Sequence, residues 1–234
     1  QTIERVAALR PDRIALYGYA HLPERFKPQR RISTADLPSA ASKLQMFTDA
    51  LQALLQAGYE YIGMDHFALP SDALAVAKRE GRLHRNFQGY STQPDCDLLG
   101  LGVSAIGKVG AHYNQNAKTL PEYYDLLDQG SFATVRGLAL SRDDLVRRAV
   151  IAAIMCQGRL EFASIEQAFL IDFASYFAAE LNQLRSLADD GLLHMDAQEL
   201  EVTPTGWYVV RAVAMVFDRY LQADRARQRY SKII

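Results

Sequence analysis

Two short runs of β-branched and aromatic residues, with one amphipathic stretch between them, constrain this chain more than any other feature. Residues 13–20 (RIALYGYA) and 59–67 (YEYIGMDHF) read as buried strands. Between them Leu44, Phe47, Leu51, Leu54 and Leu55 fall on one helical stripe, and Gly58 stands where a left-handed cap ends a helix. Strand, helix and strand in this order make a βαβ-type unit, which puts both strands in one sheet of an α/β fold. A short helix from Ile3 to Leu9 precedes the unit and is broken by Pro11. Because the chain starts inside that helical pattern, it reads as a piece of a longer protein.

Beyond the unit, Pro70 and Ser71-Asp72 open a short helix that ends at Gly81. Residues 82–97 have no apolar period and read as an ordered, irregular surface segment, whereas LLGLGVSAIG (98–107) reads as a further buried strand rich in small residues. After about residue 119 the pattern turns helical. Ser141-Arg142-Asp143-Asp144 is a capping-box sequence ahead of an apolar helix, Leu145 to Cys156. Phe173, Phe177, Leu181, Leu184 and Leu187 form another helical stripe. The following stretch reads as strand, turn and strand near 192–203, then a new helix with Thr203 as cap and Pro204 in its first turn. Helix, helix, wing and helix make a winged-helix-like pattern, and the boundary between residues 1–135 and 136–234 is placed near 135.

Charge and composition narrow the function classes. Lys plus Arg (26) nearly balances Asp plus Glu (27), so no global attraction to nucleic acid or anionic lipid is expected. No run approaches the roughly 20 apolar residues of a membrane span. The two cysteines, Cys96 and Cys156, cannot build a disulfide framework and suit a reducing, cytoplasmic setting. A winged-helix DNA-binding regulator is opposed by the stretch 164–188, where Arg185 stands against Glu166, Asp172 and Glu180. The basic residues Arg219, Arg225, Arg227, Arg229 and Lys232 read as a solvated terminal helix.

The five histidines are scattered without metal-ligand spacing, so no metal site is expected. GLGVSAIG is no dinucleotide fingerprint, since its glycines lie inside an apolar run and not at a helix start. Two polar runs carry more information. GMDHF puts Asp65 and His66 at the C-terminal end of a strand, where open α/β sheets bind ligands. HRNFQGYST concentrates His84, Arg85, Asn86 and Gln88 with two aromatics, too polar for core and too aromatic for a solvated loop. The aperiodic, basic segment 21–33, which opens with His21, reads as a functional loop. These residues are the candidates for lining a substrate site.

The runs YIGMDHFALPSDALAVAKREG, LHRNFQGYST and CDLLGLGVSAIG, together with YAHLP (19–23) and RRAVIAAIMC (147–156), resemble the oxygen-independent coproporphyrinogen III oxidase family of radical S-adenosylmethionine enzymes. The resemblance implies a partial (β/α) barrel holding a [4Fe–4S] cluster and two S-adenosylmethionine molecules, followed by a mostly helical C-terminal domain. The implied reaction turns two propionates of coproporphyrinogen III into vinyl groups by 5′-deoxyadenosyl radical chemistry, with a cofactor that carries the hard step. Ala20 and Ile106 correspond to S-adenosylmethionine contacts. The family's Cys-x3-Cys-x2-Cys and Gly-Gly-Thr-Pro runs are absent here, and two cysteines sixty positions apart cannot replace a cluster motif. The chain therefore corresponds to the C-terminal portion of a monomeric enzyme whose N-terminal part is its partner, and alone it is expected to be inactive. A haem- or porphyrin-binding relative without radical chemistry is the alternative within the same resemblance, and no catalytic residue is assigned.

Overall fold

The computed structural model describes residues 1–224 of the chain, a mixed α/β protein. Helix α1 (Thr2–Leu9) leads into strand β1 (Arg13–Ala15), and helix α2 (Ala40–Gln56) follows after the 16–39 segment. Ser39 caps α2, its hydroxyl accepting a hydrogen bond from the Ser42 amide at 3.1 Å. The expected stripe is narrower than its spacing suggests: Leu51 and Leu54 are buried, but Leu44 and Leu55 keep 50% and 42% exposure. Gly58, at φ +86°, turns the chain out of the helix as expected.

The run 59–67 is not one strand. It folds as β2 (Glu60–Gly63) and β3 (His66–Ala68), joined by a two-residue turn at Met64 and Asp65. The sheet order is β1-β3-β2 with both outer strands antiparallel to β3, so β1 and β2 are parallel, as the βαβ reading requires, with β3 inserted between them. Strand β1 stops at Ala15 because β3 offers only three residues to pair with, and the chain then leaves the sheet. Tyr59, Tyr61 and Phe67 pack with Leu51 and Leu54 as the core beneath.

Helix α3 (Ala73–Arg79) is capped by Asp72, whose carboxylate accepts from the Leu74 amide at 2.7 Å. The segment 82–97 holds a hairpin, β4 (His84–Asn86) with β5 (Gly89–Ser91), where an irregular run was expected. The stretch 98–107 is mostly loop: β6 (Ile106–Val109) begins only at its end, and Leu99 and Leu101 are 75% and 90% exposed. The chain folds back on itself there, since a Cβ at Gly100 would stand 2.7 Å from the Ile106 carbonyl oxygen. Strands β6, β7 (His112–Asn116) and β8 (Thr134–Ala139) form a second antiparallel sheet, with helix α4 (Leu120–Asp128) between β7 and β8. Residue 135 lies inside β8, whose pairing with β7 runs on to Ala139.

Helix α5 (Arg142–Gln157) begins with the expected capping box, Ser141 and Asp144 bonding reciprocally, and ends at Gly158 (φ +67°). Then come β9 (Arg159–Glu161), α6 (Phe162–Phe169), α7 (Phe173–Tyr176), α8 (Ala178–Asp189), β10 (Leu193–Met195) and β11 (Glu199–Val202). The expected helical stripe from Phe173 to Leu187 is split, because Phe177 leaves helical geometry (ψ +25°) to turn its ring into the core. Strands β9 to β11 form a sheet in the order β10-β11-β9. Thr203 caps α9 (Pro204–Trp207), and α10 (Val210–Met215) and α11 (Arg219–Asp224) close the described chain. Of the basic run, Arg219 pairs with Asp143; residues 225–232 lie outside the described residues.

Phe162 and Phe173 stack at 4.2 Å, and Phe177 sets its edge against Phe217 at 5.2 Å. Above these rings Arg147 joins three elements, bonding Asp143 at 2.9 Å, Glu180 at 2.7 Å and the Phe217 carbonyl at 3.1 Å. Burial alone would raise the Asp143 carboxyl, but hydrogen bonds from Tyr176, Arg147 and Arg219 outweigh it and hold the group below its ordinary value. Arg147→Met should therefore cost roughly 3 kcal/mol, the low end for breaking a buried ion pair, measured by urea unfolding at pH 7. The stability contributed by Asp143 is complete above its unfolded pKa of about 3.9 and is lost as pH falls from there through the lower folded value. The wild-type chain should accordingly lose stability more steeply than Arg147→Met on acidification through that range.

Candidate functional site

The two polar runs singled out in the sequence meet face to face. Each hairpin presents a glycine to an aromatic ring of the other. A Cβ at Gly63 would stand 2.6 Å from the Tyr90 hydroxyl, and one at Gly89 would stand 3.4 Å from His66 Nε2. Both glycines also have positive φ, +140° and +133°, which side chains rarely adopt. Tyr90 is fixed from behind by its hydrogen bond to the Met155 carbonyl at 2.8 Å.

The turn that carries Asp65 and His66 is strained and tightly held. Met64 and Asp65 have φ +44° and +63°, the left-handed pair of a type I′ turn that usually takes Asn-Gly. Three hydrogen bonds fix it: the Leu16 amide to the Asp65 carbonyl (2.9 Å), the Asp65 amide to the Tyr61 hydroxyl (3.3 Å), and His66 Nδ1 to the Met64 carbonyl (2.7 Å). A carbonyl only accepts, so Nδ1 donates to Met64, and Nε2 lies 3.3 Å from the Tyr17 hydroxyl. Burial raises the Asp65 carboxyl, with His66 and Arg211 opposing, and pushes the Tyr61 phenol up to about 12.

Trp207, the one tryptophan in the chain, locks this turn to the C-terminal helices. Its indole N–H donates to the Ile62 carbonyl at 3.1 Å, and its ring lies against Gly63 and Gly158. Lys78 stands 4.8 Å above the same ring while donating to the Tyr61 carbonyl at 2.6 Å; burial brings its ammonium down to about 8.

Beside the clasp, a cavity of about 250 Å³ opens between the β4–β5 turn and the folded-back 98–106 loop. Phe87, Gln88, Leu98–Leu101 and Ser104–Ile106 line it. Of the candidates from the sequence, Gln88 and Ile106 thus share one cavity. Asn86 shapes the turn by accepting from the Gln88 amide at 2.8 Å. His84 pairs across the hairpin with Ser91, and Arg85 with Tyr90, its guanidinium 5.0 Å from the ring centroid. His21 and Ala20 are engaged elsewhere: His21 contacts Tyr19 at 3.3 Å, and the Ala20 carbonyl accepts from Gln29 at 3.0 Å. Sequence reasoning missed Tyr17 and Trp207. The single tryptophan directly after a capped Pro-Thr-Gly turn was the available signal for the second.

Among the described residues no group of three or more His, Cys, Asp or Glu could hold a metal ion. Cys96 is exposed, whereas Cys156 is buried beside Tyr90 with its thiol pushed up to about 11 by burial.

Residues 140–209 match the model of the HemN C-terminal domain. The whole chain is 51% identical to an oxygen-independent coproporphyrinogen III oxidase of Pseudomonas aeruginosa and 50% identical to that of Escherichia coli, covering 51% of each. It is 44% identical to the oxidase of Thermostichus vulcanus, of which it covers 72%. The solved coproporphyrinogen III oxidase (HemN) of Escherichia coli, described as a radical SAM enzyme, superposes with a TM-score of 0.89 over 94% of this chain and 50% of that one, at 51% identity. Fold and sequence thus place the chain beside the C-terminal half of a coproporphyrinogen III oxidase. It belongs to the oxygen-independent coproporphyrinogen III oxidase family, and it spans about half the length of the Pseudomonas and Escherichia relatives.

The clasp predicts a contrast between two glycines. Gly63→Ala adds both strain and a collision with Tyr90, and should cost roughly 1–3 kcal/mol beyond Gly89→Ala, where φ is similar (+133°) but the added Cβ comes no closer than 3.4 Å to any atom. Thermal unfolding of the two variants checks this, and equal losses would mean that Tyr90 does not press on Gly63.

Proposed function

We propose that this chain is the C-terminal half of an enzyme that oxidatively decarboxylates two propionates of coproporphyrinogen III to vinyl groups, giving protoporphyrinogen IX. The observation that carries this reading is end-to-end identity of about one half with oxidases of that name, extending over a cavity built from the HRNFQGY and LLGLGVSAI runs. The proposed division of the chain is a sheet-bearing part ending with β8 and a helical part with a winged-helix-like β9–β11 sheet. The acidic residues Glu166, Asp172 and Glu180 favour no nucleic-acid role for that sheet and its helices. Among the described residues no helix is long and apolar enough to cross a membrane.

The donors present fit the two cofactors differently. A [4Fe–4S] cluster needs closely spaced thiolates. Cys96 and Cys156 sit in unlike environments, and the Cys156 thiol stays protonated at neutral pH. The cluster therefore belongs to the other half of the full-length protein. S-adenosylmethionine fits better. The cavity offers Ile106, Leu98 and Phe87 as apolar walls and the Gln88 amide as a donor and acceptor, a composition suited to an adenosyl group. When bound, S-adenosylmethionine supplies the hydrogen-abstracting chemistry; this chain's residues bind it, exclude water and orient the tetrapyrrole. Ala20 would contribute through its backbone amide, since Gln29 holds its carbonyl.

The N-terminal half of the full-length protein is the proposed partner. Leu99, Leu101 and Phe132 are bare to 75%, 90% and 92%, and every residue of β8 is exposed. Exposed apolar side chains and a bare edge strand call for a protein cover. The experiment is a paired one under anaerobic conditions with iron and sulfide. The full-length gene product should take up a [4Fe–4S] cluster and form protoporphyrinogen IX, and this chain alone should retain far less than one cluster. A stoichiometric cluster on the isolated chain, or a full-length protein inert toward coproporphyrinogen III, would refute the reading.

A further inference from the structure

Among the described residues, one buried side-chain nitrogen lacks a hydrogen-bond partner, and it belongs to a group that cannot give up its charge: Nη1 of Arg85. The guanidinium lies against Tyr90, 5.0 Å from the ring centroid, and Tyr90 is itself immobilised by Met155 and Gly63. Arg79, Arg147, Arg148 and Arg159 each hold a carboxylate, but no Asp or Glu of the described residues lies within 4.0 Å of Arg85. Its titratable neighbours do not compensate it. Burial raises both the Tyr90 phenol and the Cys156 thiol, so both are neutral at pH 7.

A half-buried cation without an anion is costly, and the cost is tolerated where a ligand supplies the anion. Arg85 stands on β4 directly before the turn whose Phe87 and Gln88 line the cavity. A tetrapyrrole substrate brings four carboxylates on flexible arms, and a guanidinium held against an immobilised aromatic ring is positioned for planar, two-point recognition of one of them. We propose that Arg85 is the binding residue for one propionate carboxylate of the substrate, and so a determinant of which propionates the site accepts. This inference rests on the activity proposed above.

The test uses the full-length enzyme, Arg85→Gln and Arg85→Lys, with coproporphyrinogen III and its mono-methyl esters, in which one carboxylate at a time loses its charge. A charge-assisted contact of this kind is expected to change affinity by about tenfold or more. The wild type should show that loss of kcat/KM for the ester of the contacted propionate. Arg85→Gln should show a similar rise in KM for the free acid, an unchanged melting temperature, and discrimination between acid and ester reduced to near unity. Arg85→Lys should recover part of it. Discrimination retained in Arg85→Gln, with a lower melting temperature and kcat reduced alike for acid and ester, would show that Arg85 pairs with a carboxylate of the protein and would overturn the proposal. If the full-length wild type does not turn over coproporphyrinogen III, the activity reading fails by itself. Binding of the oxidised tetracarboxylate coproporphyrin III, followed by absorbance, then decides the role of Arg85: a Kd about tenfold weaker in Arg85→Gln supports it, and an equal Kd overturns it.

Discussion

The mutual fit of two hairpins, Gly63 against Tyr90 and Gly89 against His66, is the contact on which the rest of the structure depends. Each hairpin is too short to be stable alone. Together they bury Tyr90 between Ile62, Leu83 and Cys156, and this cluster is where the sheet-bearing part of the chain meets α5. Positive φ calls for glycine at both positions, and at Gly63 the close approach of the Tyr90 hydroxyl adds a second reason. An unfavourable Met-Asp turn survives beside it: the Leu16 amide and His66 Nδ1 donate to the turn's carbonyls, and the Tyr61 hydroxyl accepts from its Asp65 amide.

Trp207 extends the same constraint into the helical part. It donates to Ile62 on β2, lies against Gly63 and Gly158, and receives Lys78 above its ring. Movement of α9 would therefore displace β2 and, through it, the turn that carries His66. Arg147 performs the matching task on the far side, tying α5 to Glu180 of α8 and to the Phe217 carbonyl. The helical part is thus coupled mechanically to the candidate site although it contributes little to the cavity wall.

Much of this was legible in the residues. The Ser141–Asp144 capping box, the Thr203-Pro204 helix start, the Gly58 cap and the paired strands near 192–203 are local features, written in side chains that bond their own neighbourhood. GMDHF and HRNFQGY stood out by their polarity as candidates for lining a site, but their packing against each other was not legible, because it depends on two glycines and a tyrosine far apart in sequence. The hairpin inside 59–67 was not, because its turn residues are Met and Asp, whose left-handed conformation is imposed by Tyr61, Leu16 and His66 and not by local preference. The 98–107 run misled for the opposite reason. Its apolar residues matched a buried strand, but Gly100 and Gly107 serve a close backbone approach, which hydropathy does not record.

The electrostatics of the junction separate what this half can do from what it cannot. Burial there favours uncharged forms: it raises Asp65, Tyr61, Tyr90 and Cys156 and lowers Lys78. Cys156 is buried there, and among the described residues no group of three or more potential metal ligands gathers around it. The same desolvation strengthens a cation that cannot titrate. Arg85 keeps its charge in surroundings where its neighbours are neutral, and its field is therefore weakly screened by the protein. Tight packing around Tyr90 thus keeps its phenol and the Cys156 thiol neutral while Arg85 beside them stays charged.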